Sequence, residues 1–388
     1  MARGEVQLVR QLSRRTFLGT LGAAGAALAS AGCTRKRGTR YNGWLLVAGG
    51  AEKTVAVADL NEFQPMARIA LPLEPDQLLQ AGERVYAVCR EGGALIEISL
   101  GSLQVTGRIN PGGKPVAARV LEGGKSALVA LAEPAGRSDA GALVLVDLES
   151  RKVTARMALA GAAGDLDVNG AMAVVTVPSK NQLVRVALPE WKAAGTTETG
   201  AQCRNVLFRR DGKTILAGAP ATHEVVTVDA ATGSLLARLP VAVAPERFCF
   251  NPDGGQMFVT GPGGDVVAIV SPYQNEVGET MLAGRTPAAM AVAERQNLLC
   301  VTNAESGSLT ILDIDTRHLS ASVHVGETPG EVVVTPDGEY ALVVDRRSGS
   351  AAVVRLSTVV DKKVKTKPLF TVFATARDAR AALLVGRG

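Results

Sequence analysis

Aromatic residues make up only 4% of this 388-residue chain, which has two tryptophans and three histidines. With so few histidines, at His223, His318 and His324, metal and acid–base chemistry have little to work with. There is no His-Glu-x-x-His, no Cys-x-x-Cys and no close acidic pair at a strand end. The Gly-rich stretches "GGAEK" and "GPGG" are not phosphate loops, because no helix follows to present its N-terminus. Charge is sparse as well, at 20% of residues, and much of the net +5 sits at the two ends. Arg3, Arg10, Arg14, Arg15, Arg35, Lys36, Arg37 and Arg40 precede the body, and Lys362, Lys363, Lys365 and Lys367 lie near its end. The nearly neutral body between them argues against a nucleic-acid surface.

What the chain does have is apolar residues, at 47%, and 42 glycines. That mixture suits many short strands joined by tight turns, with enough apolar surface for a large core. The strands recur. "WLLVAGGAEKTVAVADL" (44–60), "VYAVCREGGALIEISL" (85–100), "MAVVTVPSKNQLVRVAL" (172–188) and "LCVTNAESGSLTILDID" (299–315) are each two β-rich runs around a small polar turn. Eight such pairs occur; their second runs start at Val55, Leu95, Leu143, Leu183, Val225, Val266, Leu309 and Ala352, in steps of 40 to 48 residues.

Each unit has two further strands. An apolar run ending in an Asp-Gly turn comes first, as in "VLFRRDGK" (206–213), "FCFNPDGG" (248–255) and "VVVTPDGE" (332–339). Asp-Gly supplies the positive φ of a tight hairpin. A run such as "ARIAL" (67–71), "ARMAL" (155–159) or "ARLPV" (237–241) follows the pair. Four strands in about 42 residues form one propeller blade, and a ring of blades buries faces that a single blade cannot. The expected fold is therefore all-β: a β-propeller of four-stranded antiparallel blades, eight in number, with seven as the alternative. The tail "KPLFTVFATARDARAALLVG" (367–386) is expected to close the ring, with Leu369–Ala374 completing the first blade. Residues 41–388 then form one propeller.

The stretch "CVTNAESGSLTILDIDTRHLSASVHVGETPGEVVVTPDGEYALVVD" (300–345) resembles the YVTN-repeat, YncE-like β-propellers. Val301-Thr302-Asn303 fits the signature, with Cys300 in place of its tyrosine. Gly326-Glu327-Thr328-Pro329 and Thr335-Pro336-Asp337-Gly338 fit its bend and turn. The likeness runs over residues 41–388 and is strongest after 200. It implies a fold rather than a function, because the family's repeat residues serve the scaffold. It also brings two enzymatic alternatives: seven-bladed lactonases of similar repeat, and eight-bladed propellers that carry haem d1. The tryptophan-rich docking motifs of quinoprotein propellers are missing, with only Trp44 and Trp191.

The first 33 residues resemble a twin-arginine export signal. Ser13-Arg14-Arg15-Thr16-Phe17-Leu18 fits the motif, and the Gly/Ala-rich stretch "TLGAAGAALASAG" (20–32) is too short and mild for a transmembrane helix. The resemblance implies export to the periplasm or the outer face of the membrane. "ALASAGC" ends in a lipobox-like Ala31-Gly32-Cys33, with Ser30 where leucine is usual. Acylation of Cys33 would anchor the chain through lipid, with the basic linker 34–40 against anionic headgroups. The alternative is cleavage after "ASA" and a free N-terminal arm.

In a propeller, ligands meet the channel mouth, where inner strands begin. Aligning the units puts Asn205, Arg247, Ala289 and Glu331 at equivalent inner-strand positions, with Arg204, Glu246 and Arg285 beside them. Arginines there can clamp a carboxylate or phosphate. They can equally be paired with Glu246 and Glu331 across neighbouring blades, as ordinary charged surface. His318 and His324 fall at outer positions, poor ones for axial haem or metal ligands. Cys203 and Cys249 sit four register positions apart on adjacent blades, roughly 13 Å of strand rise, which is beyond a disulfide. These cysteines, with Cys89 and Cys300, read as small buried hydrophobes. No catalytic residue, metal or cofactor is expected. The chain reads as a monomeric binding or scaffold module in the cell envelope, with a protein or small-molecule partner and no nucleic acid.

Overall fold

The computed structural model describes residues 41–133, 140–188, 190–360 and 366–387. The proposed signal with Arg14, Arg15, Phe17 and Leu18, the lipidation candidate Cys33 and the linker 34–40 lie outside the described residues.

The described chain forms eight four-stranded antiparallel sheets, the blades of an eight-bladed β-propeller. The third strands begin at Thr54, Ala94, Gly141, Gln182, Glu224, Val266, Ser308 and Ser350, all within two residues of the positions set by the repeat. Inner strands of blades 2 to 8 are Gln77–Ala81, Lys114–Val120, Leu166–Asn169, Asn205–Phe208, Arg247–Phe250, Pro287–Ala293 and Pro329–Val334. Position in the ring explains the residue choice along each blade. Second and third strands lie between two neighbouring blades, so "TVAVAD" (Thr54–Asp59) and "SALVALA" (Ser126–Ala132) are buried almost throughout. Outer strands face water on one side, and "LLARLP" (Leu235–Pro240) is correspondingly mostly exposed. The Asp-Gly turns take the expected left-handed conformation, with φ of 70°, 76° and 72° at Gly212, Gly254 and Gly338.

Ring closure departs from the expectation in one respect. Leu369–Ala374 does not complete blade 1; it pairs with Ser350–Arg355 as the outer strand of blade 8. The closing strand is Ala379–Gly386, which pairs with Gly43–Gly49 from Gly43↔Gly386 to Gly49↔Ala379. The segment between Arg355 and Leu369, which includes the short helix Ser357–Val360, delays the last outer strand, so that by spacing alone it passes for an inner one.

Eight hydrophobic clusters fill the eight junctions between blades, so the core is a ring of interfaces rather than one centre. In every blade the register between third and outer strand slips at one bulge, the same place each time. Opposite each bulge, on the third strand, stand Val57, Glu97, Leu145, Arg185, Thr227, Ile269, Ile311 and Val353. Where that residue is apolar it joins a cluster shared with the following blade: Val57 with Leu103 in one, Leu145 with Trp191 in another, and Val353 with Phe63 in a third. Two junctions replace this apolar contact with charge. Glu97, 1% exposed, accepts bonds from Arg151 Nε and Nη2 at 3.0 Å each and from Thr106 Oγ1 at 2.7 Å. Those bonds, Arg151's first, hold its carboxyl below the usual range against the opposing pull of burial. Arg185, 4% exposed, donates to the carbonyls of Ala230, Ala231 and Thr232 at 3.0, 2.7 and 3.0 Å. Gly233 makes room for it: a Cβ there would stand 2.3 Å from Arg185 Nη2.

Candidate functional site

The face of the ring where inner strands begin collects the connectors between blades and the hairpins between second and third strands. The signature residues build this face. Asn303, fully buried, donates from Nδ2 to Thr310 Oγ1 at 2.9 Å and accepts the N–H of Gly284 at 2.8 Å. Thr302 Oγ1 donates to the Gly330 carbonyl at 2.8 Å and accepts the Ala289 N–H at 3.0 Å. Asp345 does the same service in blade 8, accepting the N–H groups of Thr328, Arg347 and Ser348. These polar residues hold connectors in place; their hydrogen-bonding capacity is spent within the scaffold.

Register confirms the inner-strand alignment. Asn205 pairs with Gly218 and Arg247 with Thr260, while Ala289 is bonded to Thr302, and Glu331 sits between the pairs Pro329–Asp345 and Val332–Val343. Of the six rim candidates the fold brings two into contact. Arg247 Nη2 donates to Glu331 Oε1 at 2.9 Å, from blade 6 to blade 8. The pair skips a blade rather than joining neighbours, and it passes the small Ala289 of blade 7, so it crosses one side of the channel. Arg204, Glu246 and Arg285 are exposed and form no ion pair among the described residues. Asn205 is half-buried, and its Oδ1 has no partner there.

The other side of the channel holds an acidic pair that the sequence analysis did not find. Asp165 and Asp167 flank Leu166 at the start of the inner strand of blade 4, and Arg119 of blade 3 lies 3.6 Å from each. Their second oxygens accept the N–H groups of Val206 and Phe208 in blade 5, at 3.1 and 2.8 Å. Burial pushes the Asp165 carboxyl up, with Arg119 pulling the other way. In this setting the two carboxylates stitch three blades together and have no proton acceptor's freedom. Gln77 makes a similar stitch, donating to the Ala118 carbonyl and accepting its N–H, both at 3.3 Å.

Next to this stitch is a cavity of about 430 Å³ lined by Arg90, Ala162, Ala163, Gly164, Pro178, Ser179, Gln202 and Arg204. Arg204 was among the sequence candidates. Arg90, Ser179 and Gln202 were not, because nothing in a hairpin such as "CREGGA" marks its arginine until the ring sets blade 2 against the connectors of blades 4 and 5. Two other cations of this face, Lys114 and Arg380, are neutralised, whereas Arg285, among the described residues, is not. Lys114 lies 3.2 Å from Glu91 and 3.0 Å from Glu133, and Arg380 is held by Glu74, Asp76 and Asp378.

Among the described residues no group of histidine, cysteine and carboxylate side chains is placed to hold a metal ion. His223 ends the hairpin between second and third strands of blade 5; His318 precedes, and His324 ends, the outer strand of blade 7. The four described cysteines are free. Burial pushes the thiols of Cys89 and Cys300 up to about 12 and those of Cys203 and Cys249 to about 11, so none is a nucleophile. No described helix is long and apolar enough to cross a membrane.

Fold and face together define an eight-bladed β-propeller with a charged channel mouth. The chain is similar to solved structures of this class. It matches the dihydro-haem d1 dehydrogenase NirN, solved in complex with DHE, at a TM-score of 0.70 and 16% identity over 85% of this chain and 74% of that one. Hydrazine synthase of Kuenenia stuttgartiensis matches at 0.57 and 19%, over 74% of this chain and 96% of that one. A protein of unknown function from Desulfotomaculum acetoxidans matches at 0.59 and 11%, over 75% and 98%. At these identities the likeness establishes the fold. No protein-family model and no curated protein sequence matches the chain.

Proposed function

We propose that this chain is an exported, YVTN-type propeller that binds a small molecule or a protein partner at its channel mouth in the cell envelope and catalyses no reaction itself. One observation carries the reading: the mouth cavity offers guanidinium, hydroxyl and amide groups but no carboxylate, histidine or thiol among its lining residues. Such a lining can hold a ligand but has nothing to move a proton. Lactonase-like hydrolysis would need a group to activate water; of the two rim glutamates, Glu331 is occupied by Arg247 and Glu246 does not line the cavity. The twin-arginine motif and Cys33 support an envelope location with a lipid anchor. Cys33→Ala is expected to release the protein from membranes into the soluble envelope fraction; a variant that stays membrane-bound would show that Cys33 is not the anchor.

The likeness to the dihydro-haem d1 dehydrogenase favours a second reading, a propeller that carries a tetrapyrrole. The described residues fit it poorly, since none of the three histidines stands on an inner strand. An ultraviolet–visible spectrum of the protein purified after native export separates the two readings. The binding module should show no band beyond the protein's own absorption. A Soret-type band would put the cofactor-carrying propeller in its place.

A further inference from the structure

We propose that the mouth cavity takes a small organic anion with two acidic groups, one held by Arg90 and the other by Arg204. The proposal rests on the binding reading above and names its ligand class. Both arginines are fixed at the backbone and free at the tip. The Arg90 N–H donates to Asp76 Oδ2 at 2.9 Å, and the Arg204 N–H to the Gly218 carbonyl at 2.9 Å. Both side chains are exposed, and neither guanidinium has a carboxylate partner among the described residues. The contrast with Lys114, between two glutamates, and Arg380, among three acids, is local to this same face.

No carboxylate lines the cavity. Of the carboxylates beside it, Asp165 is bonded toward Arg119 and the Val206 N–H, and Asp76, which accepts the Arg90 N–H, is held by Arg380. An anion therefore meets two unpaired guanidiniums and no carboxylate in the lining. The floor is made of Ala162, Ala163, Gly164 and Pro178, small and apolar, and a Cβ at Gly164 would stand 2.6 Å from Thr176 Oγ1, so the backbone approaches closely there. Ser179 and Gln202 add hydrogen-bonding groups at the wall.

Size and charge placement together set the ligand class. A volume near 430 Å³ is too roomy for one inorganic anion and lies in the range of small-molecule sites. One carboxylate satisfies one guanidinium in the two-pronged geometry that arginine favours. Two guanidiniums rooted in different blades and open to one cavity call for two acidic groups, joined by an apolar chain that can lie over the Ala-Ala-Gly floor.

Adipate and hexanoate have the same carbon chain and differ by one carboxylate, so calorimetric titration of the full exported protein with each, at low ionic strength, isolates the second charge. Adipate is expected to bind at least about tenfold tighter, a difference of about 1.4 kcal/mol. Arg90→Gln and Arg204→Gln should each bring adipate down to the level of hexanoate. Arg317→Gln, on the outer rim of blade 7 where Arg317 pairs with Glu279, should change neither. Equal affinity for the two probes, or adipate binding that survives both substitutions, overturns the two-acid assignment and leaves a mouth-binding module standing. Failure of both probes to bind also overturns the assignment, and the spectrum described above then decides separately whether the binding reading falls with it.

Discussion

Arg185→Val will destabilise the ring by about 3 kcal/mol, far more than the loss of a typical surface arginine. The guanidinium is 4% exposed and donates to three consecutive carbonyls, of Ala230, Ala231 and Thr232, in the turn of blade 5 that closes over blade 4. Valine leaves those carbonyls without their donors and opens a gap at the junction. Gly233→Leu should also destabilise, because its Cβ would stand 2.3 Å from Arg185 Nη2. The two changes together are expected to recover most of the loss, since they install the residues that stand at the equivalent positions between blades 1 and 2, Val57 and Leu103, which share one hydrophobic cluster. Leucine tolerates the left-handed turn position, as Leu103 shows with φ of 52°. Urea unfolding of the wild type, both single variants and the double completes the cycle. A double variant no better than the sum of the singles would mean that bulge and turn residues are not partners across the junction.

A chain that stops before Ala379 is expected to yield no soluble folded protein. Truncation there removes the inner strand of blade 1 and bares the edge of Gly43–Gly49, whose Leu45, Leu46 and Val47 are fully buried in the intact ring. It also removes Arg380, which binds Glu74 and Asp76 at the approach to blade 2 at 3.1 and 2.8 Å. Three acids would then face one another without their common cation. Gly386 lies opposite Gly43, so a tight turn can join them. A rearranged chain in which 379–386 precedes residue 43 and the sequence ends at 378 should therefore fold and show cooperative thermal unfolding. A soluble, cooperatively unfolding truncation would refute strand-mediated closure; a rearranged chain that aggregates would show that closure needs more than this strand.

Much of this architecture is legible in the chain because each blade must solve the same problem. Buried third strands such as "TVAVAD" stand out as apolar runs, and Asp-Gly turns mark the hairpins that precede second strands, so blade number and strand level follow from spacing. Closure is not legible in the same way, because spacing carries no information on pairing: Leu369–Ala374 and Ala379–Gly386 are both short apolar runs, and only the exposed face of the first betrays an outer strand. The site was read less well for a related reason. Alignment gives the level of Arg247 and Glu331 on their strands but not that the two reach past Ala289 to each other. Asp165 and Asp167, two residues apart, look like alternating surface acids until the N–H groups of blade 5 are set beside them. Arg90 belongs to a different repeat from every other residue of its cavity, and no local pattern can announce that.

The pairing of the first strand with the last sets a clock on biosynthesis. Ala51 and Asp378, hydrogen-bonded to each other in the closed ring, are separated by 327 residues. At about 5–20 residues per second a ribosome needs roughly 15 to 65 s to cover that distance. For that interval Gly43–Gly49 is a hydrophobic strand with one unsatisfied edge, in a nascent chain whose other blades are already able to form. The neighbours most apt to occupy the edge are inner strands of the same chain or of a second one, so the rate of misfolding should rise with synthesis time rather than with temperature alone. An export route that takes only folded cargo would meet a finished ring no sooner than the emergence of its final strand.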